Sequence, residues 1–189
     1  MLLSDGTLGQ MMEPVELPEE SSATVDMPWA VTGTEGKRPH NIINSLYLKP
    51  ETLEQKNIER YERYKLIEET EARYESFMMD DAEYCVVAFG IAARVAKNAV
   101  VEARKQGVKV GMIRPITVWP FPKKPLAEAA DKVKAFISVE LSMGQMIDDI
   151  RLASECKVPV TLCNRVGGMI PSPEQVLEAI INANNGGAK

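Results

Sequence analysis

The hydrophobic pattern of the chain changes period at one glycine, and the same change then recurs along the sequence. Residues 82–90 read AEYCVVAFG, a short apolar run that ends at Gly90 and predicts a buried strand near residues 83–89. In residues 91–107 the apolar positions recur at intervals of three and four, the spacing of one helix face: Ala92, Ala96, Ala99, Val100 and Ala103. A strand that enters a helix through a glycine turn predicts a βα unit.

Three further predicted βα units follow along the chain. Short apolar runs predict strands near residues 108–113, 135–139 and 159–163, with helical spacing between them. Ser172 and Gln175 form a capping box that predicts the start of the last helix, and Pro173 suits its first turn. Consecutive βα units predict an α/β fold, with a mostly parallel sheet and helices on both faces.

The chain before residue 80 is less regular. Residues 1–4 have the pattern of a strand end, Asp5 and Gly6 that of a turn, and residues 21–49 that of an irregular linker. Residues 50–79 predict one long amphipathic helix with an apolar stripe: Tyr61, Tyr64, Ile67, Tyr74, Phe77 and Met78. The pattern therefore predicts three parts, which are residues 1–20, a linker and helix over 21–79, and an α/β domain over 80–185.

Composition narrows the class of protein without identifying a reaction. Apolar residues make up 45% and charged residues 26% of the chain, and the net charge is −5. This acidic balance argues against nucleic acid or an anionic membrane as the partner. The three cysteines include no CxxC pair, so we expect reduced thiols in a cytoplasmic protein and no zinc or iron–sulfur ligand set.

The sequence contains no recognisable catalytic residue and no recognisable metal site. The chain lacks a nucleophile elbow, a dinucleotide fingerprint and a phosphate loop, and its one histidine, His40, is expected on a surface loop. Three weak candidates for cofactor binding lie where strands end, because ligands of parallel sheets bind there: Gly90, Glu140 and Gln145.

Each weak candidate has a plainer interpretation. Gly90 and the helix behind it could bind an anion, although a glycine at a βα turn more often gives steric relief. Glu140 is either a perturbed acid or an exposed carboxylate stabilised by a helix dipole, and the second interpretation is favoured. Gln145 begins the following helix, whose N-terminus could meet an anionic group such as a phosphate.

The loops over 114–122 and 140–145 are also candidates for a contact surface. The first is stiffened by three prolines and carries Trp119 and Phe121, and the second carries Met143. The alternative is that the two aromatic side chains only cover the core of their own domain. Exposure of both side chains would favour a contact surface, and burial of both would favour the core.

Several segments together resemble the α subunit of 2-oxoacid:ferredoxin oxidoreductases, above all the 2-oxoisovalerate and 2-oxoglutarate enzymes. The segments are SDGTLGQMMEPVE, PWAVTG, DDAEYCVVAFGIAARVAKNAVVEARKQGVKVGMIRPITVWPFP, VELSMGQMIDDIRLA and GGMIPSPEQ, and the most specific matches are RPITVWPFP and the GQM after VELS. The resemblance implies oxidative decarboxylation of a 2-oxoacid with thiamine diphosphate, magnesium and coenzyme A. It implies that electrons pass through iron–sulfur clusters to ferredoxin.

The same resemblance implies which domains and subunits hold the cofactors. Residues 1–20 are expected to be the tail of a domain that holds the thiamine pyrimidine, with the catalytic glutamate upstream. The diphosphate, magnesium and clusters are expected on a thiamine-diphosphate-binding β subunit and an iron–sulfur subunit. Residues 80–184 resemble the C-terminal domain of transketolase, a structural and subunit-contacting module, so the chain alone is expected to be inactive.

The sequence is also compatible with two other hypotheses. One is a stand-alone α/β module that binds an anion or a nucleotide at the strand ends. The other is a complete small α/β enzyme, which would need titratable groups that converge in one pocket.

Overall fold

The structure is a computed structural model, and it describes residues 1–17, 19 and 25–187. A short 3-10 turn spans Leu8–Gln10, and a turn of π-helix spans Ala183–Gly187. The other elements, in chain order, are α1 (Pro50–Thr70), β1 (Tyr74–Phe77), β2 (Tyr84–Val87), α2 (Gly90–Lys105), β3 (Val110–Pro115), α3 (Lys123–Ala130), β4 (Ala135–Glu140), α4 (Met146–Ala153), β5 (Val160–Asn164) and α5 (Pro173–Asn182).

The five strands form one sheet in the order β1-β3-β2-β4-β5. Strands β3, β2, β4 and β5 are parallel, with Tyr84 of β2 opposite Val110 of β3 and Ala135 of β4. Strand β1 runs antiparallel at the edge beside β3. The predicted α/β fold with a mostly parallel sheet is therefore confirmed, and each of the four predicted strands lies within two residues of its expected bounds.

Helices cover both faces of this sheet. On one face α2 and α5 pack against the sheet, and the predicted small-residue face of α2 is buried throughout: Ala92, Ala96, Ala99, Val100 and Ala103. On the other face α3 and α4 enclose a second cluster around Leu126, Phe136 and Ile150. The capping box of Ser172 and Gln175 is formed as predicted at the start of α5.

The strand order creates a switch point between β2 and β4. The chain leaves β2 through α2 toward β3, whereas it leaves β4 through α4 toward β5 on the other side. The connections of these two neighbouring strands diverge, and the crevice at the carboxyl ends of such strands is where α/β sheets bind ligands. The loops after β2 and β4 therefore flank the position of greatest functional interest.

The predicted long helix over 50–79 is wrong in its last third. Helix α1 ends at Thr70, and Tyr74–Phe77 is a strand that alternates between exposed and half-buried residues. Tyr74 pairs with Pro115 and Phe77 with Met112, so the edge of β3 supplies backbone partners that a longer helix would forgo. The spacing of Tyr74 and Phe77 fits a helix face locally, but pairing with a distant strand decides the outcome.

Helix α1 itself buries none of its residues in this chain, so its apolar stripe does not serve as a core face here. Tyr61 is 65% exposed and Tyr64 is 40% exposed. Among the helices of the described part, none has the length and apolar character needed to cross a membrane.

The loop predicted over residues 114–122 begins too early, because Arg114 and Pro115 belong to β3. Pairing with β2 ends at Ile113, so these two residues pair with β1 alone. Proline is tolerated at such an edge position because fewer ladder hydrogen bonds are required there. Residues 1–4, which have the pattern of a strand end, form no strand.

Contacts divide the chain into two compact units, Met1–Met11 with Lys65–Lys189, and Met12–Tyr64. The second unit has turns held by side chains. The Arg38 guanidinium donates to the carbonyls of Ala30 and Gly33, both at 3.1 Å, and the Asn41 amide donates to that of Pro28 at 2.7 Å. His40 is exposed in this unit, as the sequence predicted.

Candidate functional site

Large apolar side chains are exposed on all four loops that follow the parallel strands. We call this set the rim, and its members are Phe89, Ile116, Val118, Trp119, Leu141, Met143, Val166 and Met169. Their exposed fractions run from 38% for Leu141 to 79% for Met143. Because carboxyl ends of parallel strands share one edge of a sheet, all eight residues belong to the same edge of the fold.

The loop after β3 is held in place by Thr117. The Thr117 hydroxyl accepts from the backbone N–H of Arg73 at 2.9 Å and donates to the Pro120 carbonyl at 2.8 Å. The Ile116 N–H donates to the Arg73 carbonyl at 2.9 Å. These bonds join the loop to the segment that precedes β1, so Trp119 is presented from a fixed backbone.

The aromatic pair of this loop is divided between surface and core. Trp119 is 55% exposed, whereas Phe121 is 9% exposed and packs with Leu126 and Phe136 on the α3 and α4 face. Phe121 therefore has little surface to offer a partner. The contact role predicted for Trp119 and Met143 stays a prediction.

Glu140 is buried at the end of β4, with 4% of its surface exposed, so the expectation of an exposed carboxylate is wrong. Its side chain accepts five hydrogen bonds between 2.7 and 3.0 Å, from the Ser138 and Ser142 hydroxyls and from the backbone N–H groups of Gln145, Met146 and Ile147. Three of the donors are the first amides of α4, which lack partners within the helix. The carboxylate thus closes the loop 140–145 onto the helix that follows it.

These donors keep Glu140 ionised. Burial raises the pKa of its carboxyl, but the hydrogen bonds from Gln145, Ser142, Ser138 and Met146 together outweigh burial and leave the pKa below its ordinary value of 4.5. A carboxylate with a lowered pKa and five donors is a poor proton donor or acceptor near neutral pH. The geometry favours a structural anion at this position.

At the β2 end of the switch point, Gly90 begins α2 and Asp5 lies against it. The Ile91 N–H donates to Asp5 Oδ2 at 3.2 Å. Asp5 Oδ1 accepts from the N–H groups of Thr7 and Leu8 at 3.0 and 2.8 Å. The anion at this helix N-terminus is therefore a carboxylate of the same chain.

All three helices that follow β2, β4 and β5 thus have polar side chains at their N-termini, from Asp5, Glu140 and Ser172 respectively. The ligand-binding roles predicted for Gly90, Glu140 and Gln145 stay predictions. The Ile91 amide beside Gly90 and the amides of Gln145, Met146 and Ile147 already have carboxylate partners within the chain. Within the described ranges, no group of three or more His, Cys, Asp or Glu side chains could hold a metal ion.

Sequence reasoning missed the side chains that complete this site, which are Asp5, Ser138, Ser142 and Asn164. The Asn164 amide donates to the Ser142 carbonyl at 2.6 Å and so joins the loops after β4 and β5. Asp5 and Ser142 each stand in turn-forming sequences, which is a weak local signal. Their partners lie on other elements and are visible only in the fold.

The cysteines differ in environment and remain unpaired. Complete burial in β2 raises the pKa of the Cys85 thiol to about 12. Partial burial, with a smaller contribution from Glu178, raises the pKa of the Cys163 thiol. Cys156 is exposed after α4. A buried thiol with a raised pKa has little thiolate and is unreactive, so none of the buried cysteines is a nucleophile candidate.

Comparison with known proteins places this architecture among oxidoreductase components. Residues 82–176 match the family described as pyruvate:ferredoxin oxidoreductase core domain II. The ketoisovalerate oxidoreductase subunit VorB of Methanothermobacter thermautotrophicus is 46% identical over 181 residues, which cover 95% of this chain and 51% of that subunit. The chain therefore spans about half the length of the curated relatives that it matches most extensively.

Two solved structures share the fold at low sequence identity. A 2-oxoglutarate:ferredoxin oxidoreductase from Magnetococcus marinus, with 2-oxoglutarate, coenzyme A and succinyl-CoA bound, has a TM-score of 0.59 and 16% identity, over 72% of this chain and 24% of that chain. A split-gene transketolase, an inactive β4 tetramer, has a TM-score of 0.52 and 17% identity, over 60% of this chain and 41% of that chain. The transketolase-like fold expected from the sequence is thereby confirmed.

Proposed function

The chain belongs to the pyruvate:ferredoxin oxidoreductase core domain II family, and we propose that it works within the α subunit of a 2-oxoacid:ferredoxin oxidoreductase. The observation that carries this proposal is the 46% identity to a ketoisovalerate oxidoreductase subunit, which extends over 95% of the chain. The proposed substrate is accordingly a branched-chain 2-oxoacid such as 2-oxoisovalerate. Three unpaired cysteines agree with a cytoplasmic location for the complex.

The proposed reaction releases carbon dioxide from the 2-oxoacid, joins the acyl group to coenzyme A and passes two electrons to ferredoxin. Thiamine diphosphate, magnesium and iron–sulfur clusters would supply this chemistry from other parts of the complex. The described residues of this chain do not fit the metal groups, because no three or more of their His, Cys, Asp or Glu side chains could hold a metal ion. At the switch point the chain's own carboxylates already bind amides that a diphosphate would use, Asp5 at Ile91 and Glu140 at Ile147. We therefore derive no chemical step from them.

The role proposed for the α/β domain is contact with another part of the complex through the rim. Single exposed apolar residues are ordinary, but a set on four neighbouring loops is typical of a protein interaction surface. Trp119 is an aromatic type favoured as an interface anchor, and the hydrogen bonds of Thr117 limit the entropy that its loop would lose on docking. Met143, at 79% exposure, supplies a second anchor.

The alternative of a stand-alone anion-binding or nucleotide-binding module receives no support from this geometry. Such a module needs free backbone N–H groups at the strand ends, where a phosphate would bind. Here the Ile91 N–H is bonded to Asp5, and the Gln145, Met146 and Ile147 N–H groups are bonded to Glu140.

The proposal is tested by purifying the complete complex that contains this chain and measuring reduction of a one-electron dye. Substrates are 2-oxoisovalerate, 2-oxoglutarate and pyruvate, each with and without coenzyme A. We expect dye reduction that requires coenzyme A and is fastest with 2-oxoisovalerate. Faster reaction with 2-oxoglutarate or pyruvate would refute the substrate class, and no reaction with any 2-oxoacid in the assembled complex would refute the function.

A further inference from the structure

The segment SDGTLGQ, at residues 4–10, is not used by the proposed function, yet it lies at the switch point of the sheet. Its centre is Asp5, which is half-buried. One carboxylate oxygen accepts from the N–H groups of Thr7 and Leu8 and so shapes a tight turn. The other oxygen accepts from the Ile91 N–H, 86 positions away.

Asp5 supplies a side-chain cap that the N-cap residue of helix α2 does not provide. That N-cap residue, Phe89, has an apolar side chain and makes no capping hydrogen bond. The first amides of a helix have no partners within the helix, and a carboxylate also complements the positive end of the helix dipole. Asp5 therefore performs for α2, from a remote position, the task that Glu140 performs for α4.

Gly90, on the other side of this contact, leaves room for the Asp5 carboxylate. Gly90 has a φ of +60°, and a Cβ atom added there would lie 3.0 Å from Asp5 Oδ2. Any other residue would be strained in this conformation and would press on the carboxylate. Glycine at position 90 thus permits both the turn of the chain and the approach of Asp5.

A second residue of the segment reinforces the contact. Leu8 is the other half-buried member of residues 1–11, and its Cδ1 would lie 3.8 Å from a Cβ atom at position 90. The Leu2 side chain, in contrast, is fully exposed. Met1–Met11 belong to the same compact unit as the α/β sheet, whereas Met12–Tyr64 do not. The attachment therefore depends on a short turn with two anchors.

We propose that Asp5 is a latch that fastens residues 5–11 to the α/β domain and fills the helix N-terminus at the switch point with the chain's own carboxylate. The latch fixes the path of the segment at the crevice where sheets of this type bind ligands. It is a positioning device that does not depend on the proposed enzymatic function. It also explains why an acidic residue, a turn and a leucine occur together at positions 5–8.

The test is hydrogen exchange of the Ile91 amide, measured by NMR in the full chain and in two variants. Asp5→Ala removes both oxygens, and Asp5→Asn leaves one carbonyl oxygen for three donors. In both variants we expect the Ile91 amide to exchange about ten-fold faster, because helix N-terminal amides without a cap open locally. The Val176 amide of α5, which donates to the Ser172 carbonyl, should keep its rate.

The matched control is Asp80→Asn, which removes one negative charge from an exposed position for which no capping contact is seen. It should leave the exchange of Ile91 within two-fold of the unaltered chain, on the ordinary scale of surface substitutions. Chymotrypsin cleavage after Leu8 gives a second readout and should become several-fold faster only in the Asp5 variants. Unchanged exchange at Ile91 and unchanged cleavage after Leu8 in both Asp5 variants would overturn the latch.

Discussion

At the residue scale, Glu140 shows how a single side chain organises a loop at the sheet edge. Its position where a strand ends and before a helix could be predicted from the sequence, but its burial could not. Burial of a charge is stable only when donors surround it, and here the donors come from β4, from the following loop and from α4. No local pattern states that these three sources converge.

The first prediction concerns replacement of this carboxylate. Glu140→Gln puts an NH2 group, which cannot accept, against several donors, and it should lower the free energy of unfolding by roughly 2–4 kcal/mol. The matched control Glu128→Gln alters an exposed side chain on α3 and should change stability by less than about 0.5 kcal/mol. Urea denaturation measures both, and equal stabilities of the two variants would contradict the structural role.

A pH dependence follows from the lowered pKa of Glu140. The stabilisation from its ionised form is present above its ordinary pKa of 4.5 and is lost as pH falls through the lower pKa of the folded state. The difference in unfolding free energy between the unaltered chain and Glu140→Gln should therefore shrink between neutral pH and about pH 3. A difference that stays constant or grows in acid would show that the carboxylate is not held as an anion.

The cysteines give a prediction of reactivity. Cys156 is exposed, Cys163 is half-buried with a raised pKa, and Cys85 is fully buried with its pKa raised to about 12. A thiol-reactive disulfide reagent at neutral pH should modify Cys156 first and Cys163 more slowly, and should reach Cys85 only on unfolding. Peptide mass mapping over time checks this order, and early modification of Cys85 would contradict the buried β2 core.

At the element scale, strand β1 is the part that the sequence misplaced. The pattern of residues 74–78 satisfies a helix period as well as a strand period, so the local signal is ambiguous. The strand conformation is stabilised by β3, whose edge pairs with Tyr74–Phe77. The Arg104 guanidinium also donates to the Met78 carbonyl at 2.7 Å. Both partners are distant in sequence and therefore invisible to a local pattern.

The packing at this edge makes a sharp prediction for Gly111. A Cβ atom at this position would lie 2.5 Å from both the Met78 carbonyl oxygen and the Met79 sulfur. Gly111→Ala should therefore lower the unfolding free energy by about 1–3 kcal/mol, as overpacking usually does. Gly6→Ala is the control, because nothing lies within 4 Å of a Cβ atom there. A midpoint of thermal unfolding as high for Gly111→Ala as for Gly6→Ala would refute the close approach.

At the scale of the whole molecule, the four βα units could be predicted but their arrangement could not. Alternation of strand and helix patterns predicts that the sheet is mostly parallel. It does not predict that β2 lies between β3 and β4 in the sheet. This strand order puts the switch point between β2 and β4. The apolar rim could be predicted only in part, since Trp119 and Phe121 read alike in sequence and differ in burial.

We propose that the rim contributes contact surface, and no reactive group, to an oxidoreductase complex, and one experiment tests this proposal directly. The complete complex is prepared with Trp119→Ala and Met143→Ser together, and its dissociation constant and its turnover per assembled complex are both measured. Loss of two interface anchors should weaken association by about ten-fold or more, while turnover of the assembled complex stays within about two-fold. Unchanged association, or turnover that collapses in a fully assembled complex, would contradict the account.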